Sequence, residues 1–374
     1  MNRELDIVHG GVLAGAVCGE KSKFNKALRK ERLSPLEQFS DGDGLSACYF
    51  APMASLLSGL LGILVATNQP SAVSNLVQQR TGAKIEIADP NDPVEREYLR
   101  LLEMDDAAQA EVERWLKDDD KLTGAGAGIE QGTMRARIRQ RFEPVEKGYK
   151  DFLERNPKHV KARIAYGSFL GDIGREDEAA EQYIKARDVE PKNPAAWNNL
   201  ANYYGHNSPA TNAFACYEKA IELNPAEPIY YQNFATTVYL FRRDATNYFN
   251  ISEQRVFDKA MELYRKALAL DPENFPLATD LAQTYYGIQP PRIQEALKAW
   301  SDALKLARDD IEREGVHLHF ARWHKTAGDF EAARRELGLV TNSKYGQMKE
   351  NLLKGLNTAE SRTNNVAQPE AGAK

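Results

Sequence analysis

With 374 residues, 28% of them charged and 42% hydrophobic, the chain is long enough to bury a sizeable core. Its formal net charge of −5 and the absence of a basic stripe argue against nucleic acid as a ligand. The three cysteines, Cys18, Cys48 and Cys216, do not fix the redox compartment.

Residues 1–44 read as an N-terminal extension. No charged side chain occurs from Gly44 through Gln79, and 45–66 is dominated by Leu, Ala, Gly and Ser. As a helix these 22 residues would span about 33 Å, enough to cross a bilayer core. The shorter stretch 54–66 reads as a signal-peptide h-region ending in Leu64-Val65-Ala66-Thr67. Both readings predict export; a buried helix of a soluble domain is the third. Lys21, Lys23, Lys26, Arg29, Lys30 and Arg32 precede the segment and only Arg80 follows closely. That asymmetry places the rest of the chain outside the cytoplasm, in a bacterial periplasm or anchored at the inner membrane through 45–66. Leu45-Ser46-Ala47-Cys48 resembles a lipobox, but the apolar run follows the cysteine instead of preceding it.

Residues 67–117 read as a short helical region: a helix over 72–80, an extended piece over 84–88, and a turn from Asp89 to Asp92. Pro93 suits a first helical position, and Val94, Tyr98, Leu101 and Leu102 give a helical stripe. Asp106 with Gln109 predicts a capping box opening a second helix through Val112, Trp115 and Leu116, hence an αα-hairpin standing ahead of the next domain. The glycine-rich stretch 118–133 reads as a flexible linker.

From residue 134 the pattern changes to a repeat of 34 residues. In 160–193, Tyr166 and Gly167 fall in slots 7 and 8, Gly174 in slot 15, Ala179 in 20, Tyr183 in 24, Ala186 in 27 and Pro191 in 32. Residues 194–227 keep the register with Trp197, Leu200, Ala201, Tyr204, Ala213, Tyr217, Ala220 and Pro225. Slots 4, 7, 8 and 11 lie on one face of a first helix and slots 20, 24 and 27 on one face of a second. Small residues at slots 8 and 20 let the two backbones approach, the slot-24 aromatic fills the space beside them, and proline at slot 32 ends the second helix. Further repeats occupy 228–274, with about 13 extra residues, 275–310, with two extra at Pro290 and Pro291, and 314–346. Val145, Tyr149, Phe152 and Pro157 mark a half repeat upstream whose first helix is barely recognisable. A capping helix over 343–356 closes the array, which ends at 356, and 357–374 reads as a disordered tail.

This pattern resembles the tetratricopeptide repeat family, and its exported bacterial members in particular. The resemblance implies an all-α fold, a right-handed α-solenoid of helix pairs, with the first helix of each pair lining a concave groove. The groove slots then hold Asn198, Asn199, Asn202 and His206; Gln232, Asn233, Thr236 and Tyr239; Thr279, Asp280, Gln283 and Tyr286; and His319 and Arg322. Asn and Gln both donate and accept, so such a row suits the backbone of an extended peptide. Asn199 and Asn233 fall at slot 6, where domains similar to that of the O-linked N-acetylglucosamine transferase carry an asparagine ladder; the alternative is that they bond neighbouring backbone. The family's carboxylate clamp for chaperone tails is not matched, because its positions hold Ile164, Ser168, Ile229 and Asn233.

The insertion 242–256 carries Arg242, Arg243, Tyr248 and Phe249, a composition that suits either protein binding or packing over the solenoid edge. No catalytic constellation, metal-ligand spacing or cofactor fingerprint is present in the sequence, and His317, His319 and His324 do not share one helix face. The sequence therefore predicts a non-catalytic scaffold for a protein or extended peptide, without cofactor, metal or nucleic acid. The alternatives are a membrane-anchored envelope assembly factor and a non-catalytic subunit of an enzyme complex.

Overall fold

The computed structural model describes Gly82 and residues 92–124, 128–207 and 209–366, with backbone only at 120–124, 131, 206–207 and 363–366. The apolar segment 45–66, the extension before it, Cys18, Cys48 and most of 67–91 lie outside the described residues. Among the described residues there are fourteen α-helices, two 3-10 turns and no strand. No described helix is long and apolar enough to cross a membrane. Two compact units result, one ending at Asp309 and one beginning at Asp310.

The first unit stacks antiparallel pairs: α1 (Pro93–Gly124) with α2 (Gln131–Arg155), α3 (Val160–Asp172) with α4 (Glu176–Val189), and α5 (Pro194–Asn207) with α6 (Ala210–Leu223). Next come α7 (Pro228–Leu240), the short α8 (Arg242–Phe249) and α9 (Glu253–Leu270), then α10 (Phe275–Thr284) with α11 (Ile293–Leu306). The second unit holds α12 (Asp310–Ala327), α13 (Phe330–Gly338) and α14 (Gly346–Val366).

The slot pattern explains each pair. Gly167 at slot 8 faces Tyr183 at slot 24 so closely that a Cβ there would lie 2.5 Å from Tyr183 Cε1. In the next repeats the same facing positions are Ala201 with Tyr217 and Ala235 with Tyr264, all buried. A buried phenol needs a partner, and slot 9 of the first helix supplies it. Tyr217 Oη donates to Asn202 Oδ1 at 2.6 Å, and Tyr264 Oη lies 2.8 Å from Thr236 Oγ1.

The turns repeat as well. Trp197 Nε1, Tyr231 Oη and Arg163 Nε, all at slot 4, donate at 2.9, 3.1 and 3.0 Å to the carbonyls of Pro191, Pro225 and Pro157. Asn193 and Asn274 cap α5 and α10 by accepting from Ala195 N and Leu277 N at 3.1 and 2.9 Å. Gly174 and Gly328, both at slot 15, end α3 and α12 with φ of +80° and +78°, a conformation that suits glycine.

Three sequence expectations are corrected. The hairpin within 93–117 does not form: α1 runs unbroken through Asp105 and Asp106, and the stretch read as a linker becomes the end of α1, a short connection and the start of α2. No Gly or Pro interrupts the helix, and Tyr98, Leu102, Asp105, Ala108 and Val112 form one continuous stripe against α2. Asp105 is satisfied inside that stripe because Tyr149 Oη, at slot 24, donates to it at 2.8 Å. Burial still pushes its carboxyl up to about 7, against the hydrogen bonds from Tyr149 and Gln109. Thus α1 is the first helix of the upstream repeat, and its side chains share one core with α2, α3 and α5.

The insertion 242–256 is the second correction, since it is neither loop nor open patch but α8, a left-handed Asn250 and an extra turn of α9. Phe249 stacks on Phe214 at 5.6 Å with Lys259 Nζ 4.3 Å from its ring, and Tyr248 meets Phe214 edge-on at 5.3 Å and donates to Glu218 at 2.9 Å. Arg242 pairs with Glu253 at 2.8 Å, while Arg243 is exposed. The packing account of this segment therefore fits Arg242 and Phe249, whereas Tyr248, though it touches Phe214, stays exposed like Arg243.

Third, the tail is helical as far as Val366, because α14 does not stop at Leu356. Arg334 of α13 pairs with Glu360 and reaches Asn357, on the stretch by which the helix runs past Leu356. Leu318, Ala321, Leu337, Val340, Leu352 and their neighbours form the core of this second unit.

Two outcomes follow from these contacts. Gly167→Leu should lower thermal stability by about 1–3 kcal/mol or more through overpacking against Tyr183. Adding Tyr183→Leu should recover part of the loss in a thermal melt, whereas equal melting temperatures for all three proteins would refute the crossing. Starting the chain at Gly132 removes Tyr98, Leu101 and Leu102 from the core at about 1.5–3 kcal/mol each. Such a chain should melt lower and aggregate, while one starting at Asp92 should not, as light scattering during the melt would report.

Candidate functional site

The first helices α5, α7 and α10 carry most of the sequence-predicted groove residues, and the structure sorts them into two layers. Asn198, Asn199 and Asn233 are buried. Asn199 Nδ2 donates to the Ala195 carbonyl at 2.8 Å, and Asn233 Nδ2 donates to Asn198 Oδ1 at 3.2 Å, tying α7 to α5. Asn198 Nδ2 has no hydrogen-bond partner although the side chain is fully buried.

The second layer is half-buried. Asn202 and Thr236 hold the slot-24 phenols described above, and Gln232 Nε2 donates across repeats to Asp280 Oδ2 at 2.8 Å. Burial pushes the Asp280 carboxyl up to about 6, with Gln232 pulling the other way. Thr279 Oγ1 donates to the Pro276 carbonyl at 2.7 Å, and Gln283 and Tyr286 are half-buried beside them in sequence. The Tyr239 ring packs on Phe257 at 6.1 Å, and its hydroxyl occupies the place a Cβ at Gly287 would take, 2.0 Å away. His206 is described by its backbone alone.

His319 and Arg322 belong to α12 in the second unit. Burial, helped by the Arg322 charge, pushes the His319 imidazole down to about 3, so it is neutral at physiological pH. The neighbouring His317 is engaged by Glu336, with Nδ1 2.7 Å from Oε2. Among the described residues no group of three or more His, Cys, Asp and Glu side chains is placed to hold a metal ion. Cys216 is buried, and burial pushes its thiol up to about 11, which leaves it a poor nucleophile.

Sequence reasoning missed one feature of this face. A cavity of about 390 Å³ opens between the N-terminal ends of α1, α3 and α5, lined among others by Glu95, His159, Lys161, Ala195 and Gly82. His159 Nε2 stands 3.4 Å from Glu95 Oε1, and burial holds the imidazole below its usual range against the pull of Glu95. Nothing local in the sequence connects Gly82 to this place, because the contact spans more than a hundred residues.

The sequence profile described as Tetratricopeptide repeat matches residues 194–227, the pair α5 and α6. Those residues carry a tetratricopeptide repeat. Among curated proteins it is 28% identical over 171 residues to Tetratricopeptide repeat protein 6 of Homo sapiens, covering 35% of this chain and 30% of that protein. It is 27% identical over 190 residues to Hsp70-Hsp90 organizing protein 2 of Arabidopsis thaliana, covering 43% and 31%. The matched part is thus less than a third of each relative's length. Among solved structures, MamA aligns at 22% identity with TM-score 0.36, covering 48% of this chain and 95% of that one. PilW, a type IV pilus biogenesis factor, aligns at 19% identity with TM-score 0.46, covering 60% and 96%.

The buried asparagines give a sharp expectation. Asn199→Ala with Asn233→Ala removes one bond within α5 and the tie from α7 to α5, leaving buried groups unsatisfied at about 1–3 kcal/mol each. The double variant should therefore melt at a clearly lower temperature. A melt unchanged from wild type would return these side chains to the ligand-facing layer.

Proposed function

We propose that the repeats form a non-catalytic scaffold whose first-helix face holds an extended segment of a protein partner. The observation that carries this reading is the half-buried polar row that crosses repeats, joined by the Gln232 to Asp280 bond. First helices of neighbouring pairs lie about 8–10 Å apart, and an extended chain rises about 3.3 Å per residue, so each repeat meets roughly three residues of a bound segment. Amide, hydroxyl and carboxyl groups spaced in this way can pair with backbone N–H and C=O without demanding one side-chain sequence. Asn198, Asn199 and Asn233 lie behind that row and hold its helices in place.

On this reading the chain is exported, as the charge-free stretch 44–79 and the basic residues before it suggest. The mature N-terminus, read by mass spectrometry, tests that part. A start near Thr67 marks a free exported protein, and an intact N-terminus in the membrane fraction marks an anchored one.

The groove itself is tested by photocrosslinking in the source cell, with p-benzoylphenylalanine placed at Gln283 or, as control, at exposed Glu222 on α6. Adducts with one protein at Gln283 and none at Glu222 are expected. Gln283→Ala should then reduce capture roughly 2- to 12-fold with little change in melting temperature, since one lost hydrogen bond is worth about 0.5–1.5 kcal/mol. Equal adducts at both positions would remove the groove from consideration.

A further inference from the structure

The backbone of Gly82 is seated on the third repeat. Tyr230 Oη, at slot 3 of α7, donates to the Gly82 carbonyl at 3.0 Å across 148 residues of sequence. Gly82 adopts φ +70°, and a Cβ there would lie 2.2 Å from Tyr230 Cε1 and 2.7 Å from Tyr230 Oη. The contact therefore accepts glycine alone, on two independent grounds: the backbone conformation and the face of the ring. Gly82 also lines the cavity that reaches Lys161, Ile164 and Ala195, which stand at slots 2, 5 and 2 of α3 and α5. These are groove-facing slots. Tyr230 is fully buried, and burial together with Glu227 raises its phenol above the ordinary range, so it stays a hydrogen-bond donor.

We propose that the groove is occupied in cis: the chain's own backbone at Gly82 fills the subsite formed by Tyr230 and the ends of α3 and α5, and a partner segment must displace it. The inference rests on the groove reading above and deepens it in two ways. It names the subsite's preference, a peptide that presents glycine with its carbonyl to Tyr230. It also gives the groove a built-in competitor. Gly82 is tied to α1, which begins at Pro93, by a short tether, and a tether of that length holds its end at an effective concentration on the order of millimolar. A partner segment with the same intrinsic affinity would bind in trans only when supplied above that concentration, or when it makes further contacts along the polar row. Release of the cis segment uncovers both Tyr230 and the cavity.

The test uses the full-length chain and a fluorescein-labelled synthetic peptide of residues 76–88, followed by fluorescence anisotropy. Gly82→Val in the chain breaks the cis contact, so the peptide should bind this variant at least about 10-fold more tightly than it binds wild type. The same peptide carrying Gly82→Val should bind neither. In the Gly82→Val chain, a further Tyr230→Phe should weaken the peptide roughly 2- to 12-fold by removing one hydroxyl donor. Circular dichroism melts identify any variant that fails to fold, and Tyr230→Phe alone, which keeps the ring, provides a second route. It should speed trypsin cleavage at Arg80 and Lys84 of the otherwise wild-type chain about 2- to 10-fold. Equal peptide affinity for wild type and Gly82→Val, absence of binding to both, or unchanged cleavage would each overturn the proposal. Photocrosslinking at Gln283 that succeeds equally in wild type and Gly82→Val would leave the groove reading standing while the cis competitor fails. Peptide binding without any crosslinked partner would do the reverse.

Discussion

The pairs between Val160 and Leu306 depend on a close crossing in which a small residue at slot 8 of the first helix meets an aromatic at slot 24 of the second. The contact between Gly167 and Tyr183 is its tightest form, with no room for a single added carbon. The ring does two jobs. Its body fills the space between helices, and its hydroxyl, which cannot be buried alone, is held by slot 9 of the first helix. Asn202 and Thr236 occupy that position for Tyr217 and Tyr264, and Asp105 of α1 holds Tyr149 in the same way. Polar residues in first helices are therefore partly structural, and a groove reading must separate those already engaged from those that remain half-exposed.

The two irregular segments make sense together. The extra residues of the third repeat lengthen α9 at its start, and Gln254 on that added turn and Asp258 on the next grip the break in the fourth repeat. Gln254 Nε2 donates to the Gln289 carbonyl at 2.6 Å, and Arg292 donates to Asp258 at 2.6 Å and to Gln254 at 2.8 Å. One insertion braces the other. The aromatic pair on α8 closes over Phe214 and Phe234 and covers apolar surface that a shorter turn would leave open.

The polar face is built in depth. Asparagines at slots 5 and 6 bond to backbone and to each other behind the surface, while glutamine, threonine and aspartate at slots 5, 6 and 9 lie half-open in front. Gly82 on Tyr230, at slot 3, adds a contact from outside the repeats beside these slots. A bare glycine backbone thus fits against this repeat array in at least one place.

The sequence by itself determined the repeat length, the helix pairing, the slot-8 crossing and the proline turns from Val160 onward, because all of these depend on residues at most 34 apart. It also placed the helix that begins at Pro93. It misjudged that helix's length because Asp106 with Gln109 reads as a capping box, whereas the neighbouring Asp105 lies inside the apolar stripe, where Tyr149, 44 residues away, satisfies it. The same holds for α14, whose extension depends on Arg334 meeting Glu360, and for α8, whose Phe249 reads as exposed until Phe214 is beside it. Which asparagines are buried, and that Gly82 lies on Tyr230, only the tertiary structure decided. Burial and long-range hydrogen bonds are properties of what packs against a residue, and no local pattern encodes a neighbour 148 positions away.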